Sequence, residues 1–138
     1  MRYLGLDLGT KTIGLAISDK TGLIATSYQV LHHDNDPKSC IEQLKSIINT
    51  LKIEALVLGL PKNMNNTLGT RANETLKFKE YLEKELKLPI YLEDERLTTK
   101  SAEYYLIEGN TSRKKRKKVI DKVAATIILQ SFLDKRRK

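Results

Sequence analysis

Acids in this chain interrupt patterns that otherwise ask for apolar residues. Asp7 lies inside the alternating stretch Tyr3–Leu8, and strand propensity gives no reason for an acid there. On its face of an extended chain its neighbours are Gly5 and Gly9, and the next stretch adds Gly14, Ala16 and Ser18. A sheet face stripped of bulky side chains lets a metal ion, a phosphate or a helix approach the carboxylate closely. Glu93-Asp94-Glu95 closes another short apolar run, with Glu93 and Glu95 on one face and Asp94 on the other. These three acids repel one another unless a cation or Arg96 offsets their charge. Asp121 heads a helical stripe continued by Ala124, Ala125, Ile128 and Phe132, so the spacing puts it on the core side. A first-turn acid also suits the helix dipole, which accounts for its place along the helix but not for its face. Carboxylates converging from three such elements could hold two divalent ions roughly 3.5–4 Å apart, activate a water and stabilise the leaving oxygen of a phosphodiester. An all-oxygen shell suits Mg²⁺ or Mn²⁺.

A phosphate-binding surface is expected beside these acids. The chain of 138 residues carries a formal net charge of +8, and residues 113–138 hold 11 bases against two acids. The first 112 residues are close to neutral, at −1. A phosphate backbone is the most economical reason for such a block, because each neutralised phosphate releases condensed counterion. The run Arg113, Lys114, Lys115, Arg116, Lys117 and Lys118 reads as a loop between two helices, poorly ordered without a polyanion because like charges repel. Lys135–Lys138 is read either as a solvated tail or as further phosphate contacts. A carboxylate trio next to this surface reads as a nuclease.

The elements that must position these groups follow from the period of the apolar residues. Tyr3–Leu8 and Thr12–Ser18 alternate as strands joined by a turn at Gly9-Thr10-Lys11, and Ala25–Leu31 follows the turn Asp19–Gly22. The period then changes to that of a helix over Pro37–Leu51, with Pro37 in the first turn and Asp36 as N-cap. Ala55–Leu60 is a strand, 62–68 a polar loop, Arg71–Leu86 a helix and Pro89–Leu92 a fifth strand. A helix from Thr98 or Thr99 to Gly109 and a last one over Val119–Leu133 complete the order βββαβαβαα. Hairpins first and crossover helices afterwards give an α/β fold: a mixed five-stranded sheet, its first three strands antiparallel, with helices on both faces.

Composition bounds the remaining possibilities. The length suits one domain, and a 40% hydrophobic content supplies a core. No apolar run approaches the roughly 20 residues of a membrane span. Asp7 breaks the only apolar stretch at the N-terminus, so no secretory signal is expected. The single Cys40 makes no internal disulfide, and His32 and His33 are adjacent, which leaves no thiolate or zinc cluster. A reducing cytoplasm is the natural compartment.

Three stretches resemble one family in order along nearly the whole chain. They are Asp7–Asp19; Gly59–Met64 with Gly69 and Arg71; and Asp94-Glu95-Arg96-Leu97-Thr98-Thr99 followed by Asp121-Lys122-Val123-Ala124-Ala125 and Ile128-Leu129-Gln130. Together they resemble the YqgF family of the RNase H-like superfamily, described both as Holliday junction resolvase-like proteins and as pre-16S rRNA nucleases. The resemblance implies a single RNase H-like nuclease domain over 1–138, a divalent-metal site and a role in bacterial ribosomal RNA maturation. Its acids map to Asp7, Glu95 and Asp121, with Asp94 as a further metal partner. Lys11, Arg71 and Arg96 lie within the shared motifs and join the basic run as candidates for phosphate contact. Thr12 stands where many relatives carry Arg, and Asn65-Asn66 where many have Asp-Gly. The expected partner is a ribosomal RNA precursor or branched DNA, with the ribosome as a further one. The alternatives are a junction-cleaving DNA nuclease and a non-catalytic RNA-binding assembly factor. An actin-like phosphotransferase needs a second domain that this length does not supply.

Overall fold

The computed structural model describes residues 1–61, 69–94 and 113–136, with the side chains of 113–122 outside the described set. Strands β1 (Tyr3–Leu8), β2 (Thr12–Ser18) and β3 (Ala25–His32) form an antiparallel meander, followed by helix α1 (Ile41–Leu51) and strand β4 (Ala55–Leu60). Helix α2 (Thr70–Leu86), strand β5 (Ile90–Asp94) and helix α3 (Arg113–Arg136) complete the described elements. The five strands are ordered β3-β2-β1-β4-β5. β1 pairs antiparallel with β2 and parallel with β4, and β4 pairs parallel with β5. Short turns permit the first geometry, whereas parallel neighbours require the crossover that α1 and α2 supply.

The alternation of β1 separates two cores. Leu4, Leu6 and Leu8 pack with Ile13, Leu15, Leu44 of α1, and Phe78 and Leu82 of α2. On the other face Tyr3, Ala16, Ala55 and Val57 pack with Ala125, Ile128, Leu129, Phe132 and Leu133 of α3. Helices thus cover both faces, as the sequence pattern requires. The stripe expected on the last helix is buried from Ala124 onward. At the β2–β3 turn Gly22 adopts φ +73°. There the Asp19 carboxylate accepts from the Thr21 hydroxyl and from the amides of Ile24 and Leu23, which lowers its pKa to about 2. Cys40 is buried, and burial pushes its thiol pKa up.

Several boundaries differ from the sequence pattern. The first turn of the helix expected from Pro37 is a 3₁₀ segment, Pro37–Cys40, and Asp36 makes no side-chain cap. Its backbone carbonyl instead accepts from the Ser39 amide at 3.0 Å and the Ser39 hydroxyl at 2.7 Å. β5 continues through Asp94 because Gly59 and Leu60 of β4 offer Glu93 and Asp94 parallel partners. The largest correction concerns Arg113–Lys118, expected as a loop: the run is helical and opens α3. Lys and Arg have straight side chains and good helix propensity, and helix growth needs only one further hydrogen bond per residue once a nucleus exists. The polar loop 62–68 and the helix expected from Thr98 or Thr99 to Gly109 lie outside the described residues.

α3 approaches β1 more closely than any side chain on Gly5 would allow. A Cβ built there lies 2.8 Å from the Leu129 Cβ and 3.2 Å from the Ala125 carbonyl oxygen. Of the three approaches that small residues around Asp7 permit, the helix is the one seen at Gly5. Replacing Gly5 by Ala therefore forces strand and helix apart. Gly5→Ala is expected to lower stability by about 1–3 kcal/mol, the range for overpacking a core. A reduced urea midpoint with an unchanged slope checks this.

Candidate functional site

The site is built on one row of residues across the sheet. Asp7 pairs with Gly14 of β2, and Gly59 of β4 pairs with Glu93 of β5. Because Leu6 pairs with Leu58, the next step of the same register sets Asp7 level with Gly59. Paired residues share a face, so Asp7 and Glu93 both belong to the α3 face, two strand spacings or roughly 10 Å apart. Glycine stands beside Asp7 on one strand and level with it on the other, which keeps its surroundings low.

α3 runs antiparallel to β1 over this face. The Tyr3 and Phe132 rings meet edge to face at 5.5 Å, and Gly5 meets Leu129 and Ala125. Asp121 belongs to α3 one turn before Ala125, with its side chain outside the described set. Asp94 pairs with Leu60, and the pleat turns it to the α1 and α2 face, away from Asp7. Glu95 and Arg96 lie outside the described residues. Among the described residues no three of His, Cys, Asp or Glu gather closely enough to hold a metal.

The basic candidates fall at the same end of the sheet. Arg71, in the first turn of α2, donates to the Leu8 carbonyl at 3.1 Å. Its own carbonyl accepts from the buried Thr75 hydroxyl at 2.9 Å. Arg71 thereby ties α2 to the residue following Asp7, and a guanidinium that spends one donor on this tie has others to offer a phosphate. Lys11 is exposed in the β1–β2 turn. That turn is closed by the Gly9 amide on the Thr12 carbonyl at 2.8 Å, and the Lys11 carbonyl accepts from the His33 amide at 2.9 Å.

Glu93 has a role that the acidic triplet concealed. It is only 4% exposed and forms an ion pair with Lys135 of α3. Arg136 next to it lies over the rings of Tyr3, Tyr91 and Phe132, at 5.8, 5.4 and 5.4 Å from their centroids. Lys135 and Arg136 therefore clamp the end of α3 onto the sheet instead of serving as a solvated tail. The alternation of Tyr91 and Glu93 on the α3 face carried this signal, but the long range of the pairing did not. Arg137 and Lys138 lie outside the described residues.

The chain is similar to known proteins over almost its whole length. A family model described as "RuvX: Holliday junction resolvase" matches residues 1–135. A protein of Listeria monocytogenes serotype 4b, named "Putative pre-16S rRNA nuclease", is 50% identical over 135 residues, covering 97% of this chain and 98% of that one. A Geobacillus sp. protein of the same name is 48% identical over 138 residues, covering 99% and 100%. Among solved structures, T. thermophilus RuvC in complex with Holliday junction substrate aligns with a TM-score of 0.57 at 16% identity, covering 99% of this chain and 96% of that one. The Fowlpox virus resolvase with its junction DNA aligns with a TM-score of 0.56 at 12% identity over the full length of both. These structures establish the RNase H-like resolvase fold.

The Glu93–Lys135 pair ties the C-terminal end of α3 to the edge strand β5. Removing the cation leaves a buried carboxylate without its ionic partner. Lys135→Ala is expected to cost about 1–2 kcal/mol, less than a fully buried pair because the lysine is largely exposed. Adding Glu93→Gln to that variant should recover part of the loss. Urea unfolding of the two variants and the parent measures both changes.

Proposed function

The chain belongs to the RuvX family, described as Holliday junction resolvases, and from that premise we propose a metal-dependent nuclease that hydrolyses phosphodiesters in structured nucleic acid. We place this activity in a single domain over 1–138, with Asp7, Glu95 and Asp121 holding Mg²⁺ or Mn²⁺ and a ribosomal RNA precursor as the substrate. The substrate follows the names of relatives about 50% identical over nearly their whole length. Ribosome-associated precursor in the cytoplasm is the setting this implies. No helix among the described residues is long and apolar enough to cross a membrane.

The observation that carries the reading is the register of α3 on β1. Tyr3 meets Phe132 and Gly5 meets Ala125 and Leu129. Two strand residues advance about 6.6 Å, and one helical turn advances about 5.4 Å. The next step in the same sense leads from Gly5 to Asp7 and from Ala125 to Asp121. The alternation read from the sequence puts Glu93 and Glu95 on one face and Asp94 on the other. This favours Glu95 over Asp94 as the third acid. The donor set is all oxygen, which suits a hard cation.

A divalent ion held there would polarise the scissile phosphate and lower the pKa of an attacking water. The chain's own residues do the positioning. Asp7 is fixed within a strand paired on both sides, and Arg71 anchors the carbonyl that follows it. Gly14, its partner on β2, adds no side chain beside it. The opening of α3 carries six successive cations and no acid in its first turn, at the helix end whose dipole is already positive. A polyanion offsets both sources of repulsion, so Arg113–Lys118 is the expected track for the nucleic-acid backbone. Branched DNA is the second reading, favoured by the family description; parallel assays on precursor RNA and four-way DNA junctions separate the two.

Asp7→Asn should abolish cleavage and leave nucleic-acid affinity within about twofold, because Asn keeps the size but loses the anionic oxygen a hard cation needs. Cleavage by that variant near the parent rate would refute the assignment. Changing Lys114, Lys115, Lys117 and Lys118 to Gln should flatten the dependence of log affinity on log salt by about 0.7–0.9 for each phosphate no longer neutralised. Parallel lines for parent and variant would show that the run has no polyanionic partner.

A further inference from the structure

β3 forms one outer edge of the sheet: among the described residues it pairs with β2 alone. An outer strand offers amides and carbonyls to any other chain, and proteins protect such edges with charges, prolines, bulges or short length. From Leu23 to His32 the sequence has no proline and no Asp, Glu, Lys or Arg, and β3 is eight residues long. The opposite edge strand, β5, has five residues and ends in two acids. Leu23, Ile24 and Tyr28 are 44%, 61% and 40% exposed, so the β3 edge is apolar as well as uncharged.

Two features interrupt this edge. The pairing with β2 passes from Leu15↔Gln29 to Ala16↔Ser27, which leaves Tyr28 as a bulge. Beyond the bulge only Gln29–His32 remains regular. The stretch before it, Leu23–Ser27, holds the exposed Leu23 and Ile24, and Gln130 of α3 is bonded to it. The Gln130 Oε1 accepts from the Ala25 amide at 2.8 Å and its Nε2 donates to the Leu23 carbonyl at 3.0 Å. A strand laid beside β3 would bring one carbonyl and one amide to these same two groups; the Gln130 side chain supplies both. The Asp134 carboxylate accepts from the same Nε2 at 2.9 Å, which orients the amide.

We propose that Gln130 guards this edge: its side-chain amide occupies the groups through which β3 would pair with β3 of a second copy of this chain. Charge selects that partner. The chain carries a net +8, so two copies repel wherever their cations meet. Leu23–His32 is the uncharged exception. Antiparallel pairing of two such edges sets no like charges opposite each other, and it covers Leu23 and Ile24. A polyanion finds no cation on β3. Removing the amide therefore turns a closed edge into a self-pairing one, while α3 stays held by its contact with Gly5 and by the rings beneath Arg136.

Sedimentation velocity of the full chain over a concentration series tests this independently of any cleavage. Gln130→Ala should self-associate at a concentration at least about tenfold below that of the parent, because two hydrogen bonds per copy no longer have to be given up. Added salt should strengthen that association by screening the net charge, whereas association through ion pairs weakens with salt. Adding Thr26→Lys, a lysine at an exposed position of the edge, should restore parent behaviour. Hydrogen exchange on the parent keeps the test open even if Gln130→Ala fails to fold: the Ala25 amide should exchange at least about tenfold more slowly than an open amide. A folded Gln130→Ala variant that associates no more than the parent would overturn the proposal. So would association that weakens with salt or survives Thr26→Lys, or an Ala25 amide in the parent that exchanges as freely as an open chain.

Discussion

The contact between α3 and β1 governs the rest of this structure. Gly5 has no room for a single added carbon beneath Leu129 and Ala125, so helix and strand lie in backbone-level contact. Closeness of that kind fixes the helix in rotation as well as in height. Ala16, opposite Gly5 on β2, and Ala124 and Ala125 on the helix, all buried, extend the same small-residue seam. Interiors packed at this density transmit a shift of one element to the next. The place of the α3 backbone over β1 is thus a property of the seam.

The two faces of the sheet have divided tasks. Large aliphatic side chains from Leu4, Leu6, Leu8, Leu56 and Leu58 fill the α1 and α2 side, where most of the apolar burial lies. On the α3 side the residues level with Asp7 on its neighbouring strands are Gly14 and Gly59. At the far end of the helix Phe132, Tyr3 and Tyr91 cluster beneath Arg136, and Glu93 meets Lys135. A helix clamped at its C-terminal end and seated on glycine in its middle runs its N-terminal half toward the end of the sheet that holds Asp7. Gln130 adds a third tether by accepting from the Ala25 amide at 2.8 Å and donating to the Leu23 carbonyl at 3.0 Å.

Much of this was legible in the sequence because it is local. The period-two alternation of Tyr3–Leu8 and Thr12–Ser18 and the compact run Ala55–Leu60 carry their own boundaries, and the small residues around Asp7 signalled a close approach. What escaped was non-local or dependent on context. Six like charges suggest a loop when weighed alone, yet attached to an apolar helix they extend it. Glu93 read only as part of an acidic cluster until β5 was found two residues longer and Lys135 was found opposite. Asp36 lost its capping role because a 3₁₀ turn at Pro37 redirects the chain.

The central claim is that Asp7 and Asp121 act on one ion. Mn²⁺ binding, measured by electron paramagnetic resonance on the parent, Asp7→Asn, Asp121→Asn and the double variant, tests it most directly. Two acids sharing a site are coupled, so their free-energy losses should fail to add. The account predicts that each single variant loses affinity and that the double variant loses clearly less than the sum. Strictly additive losses, or an Asp121→Asn variant that binds Mn²⁺ as the parent does, would contradict it.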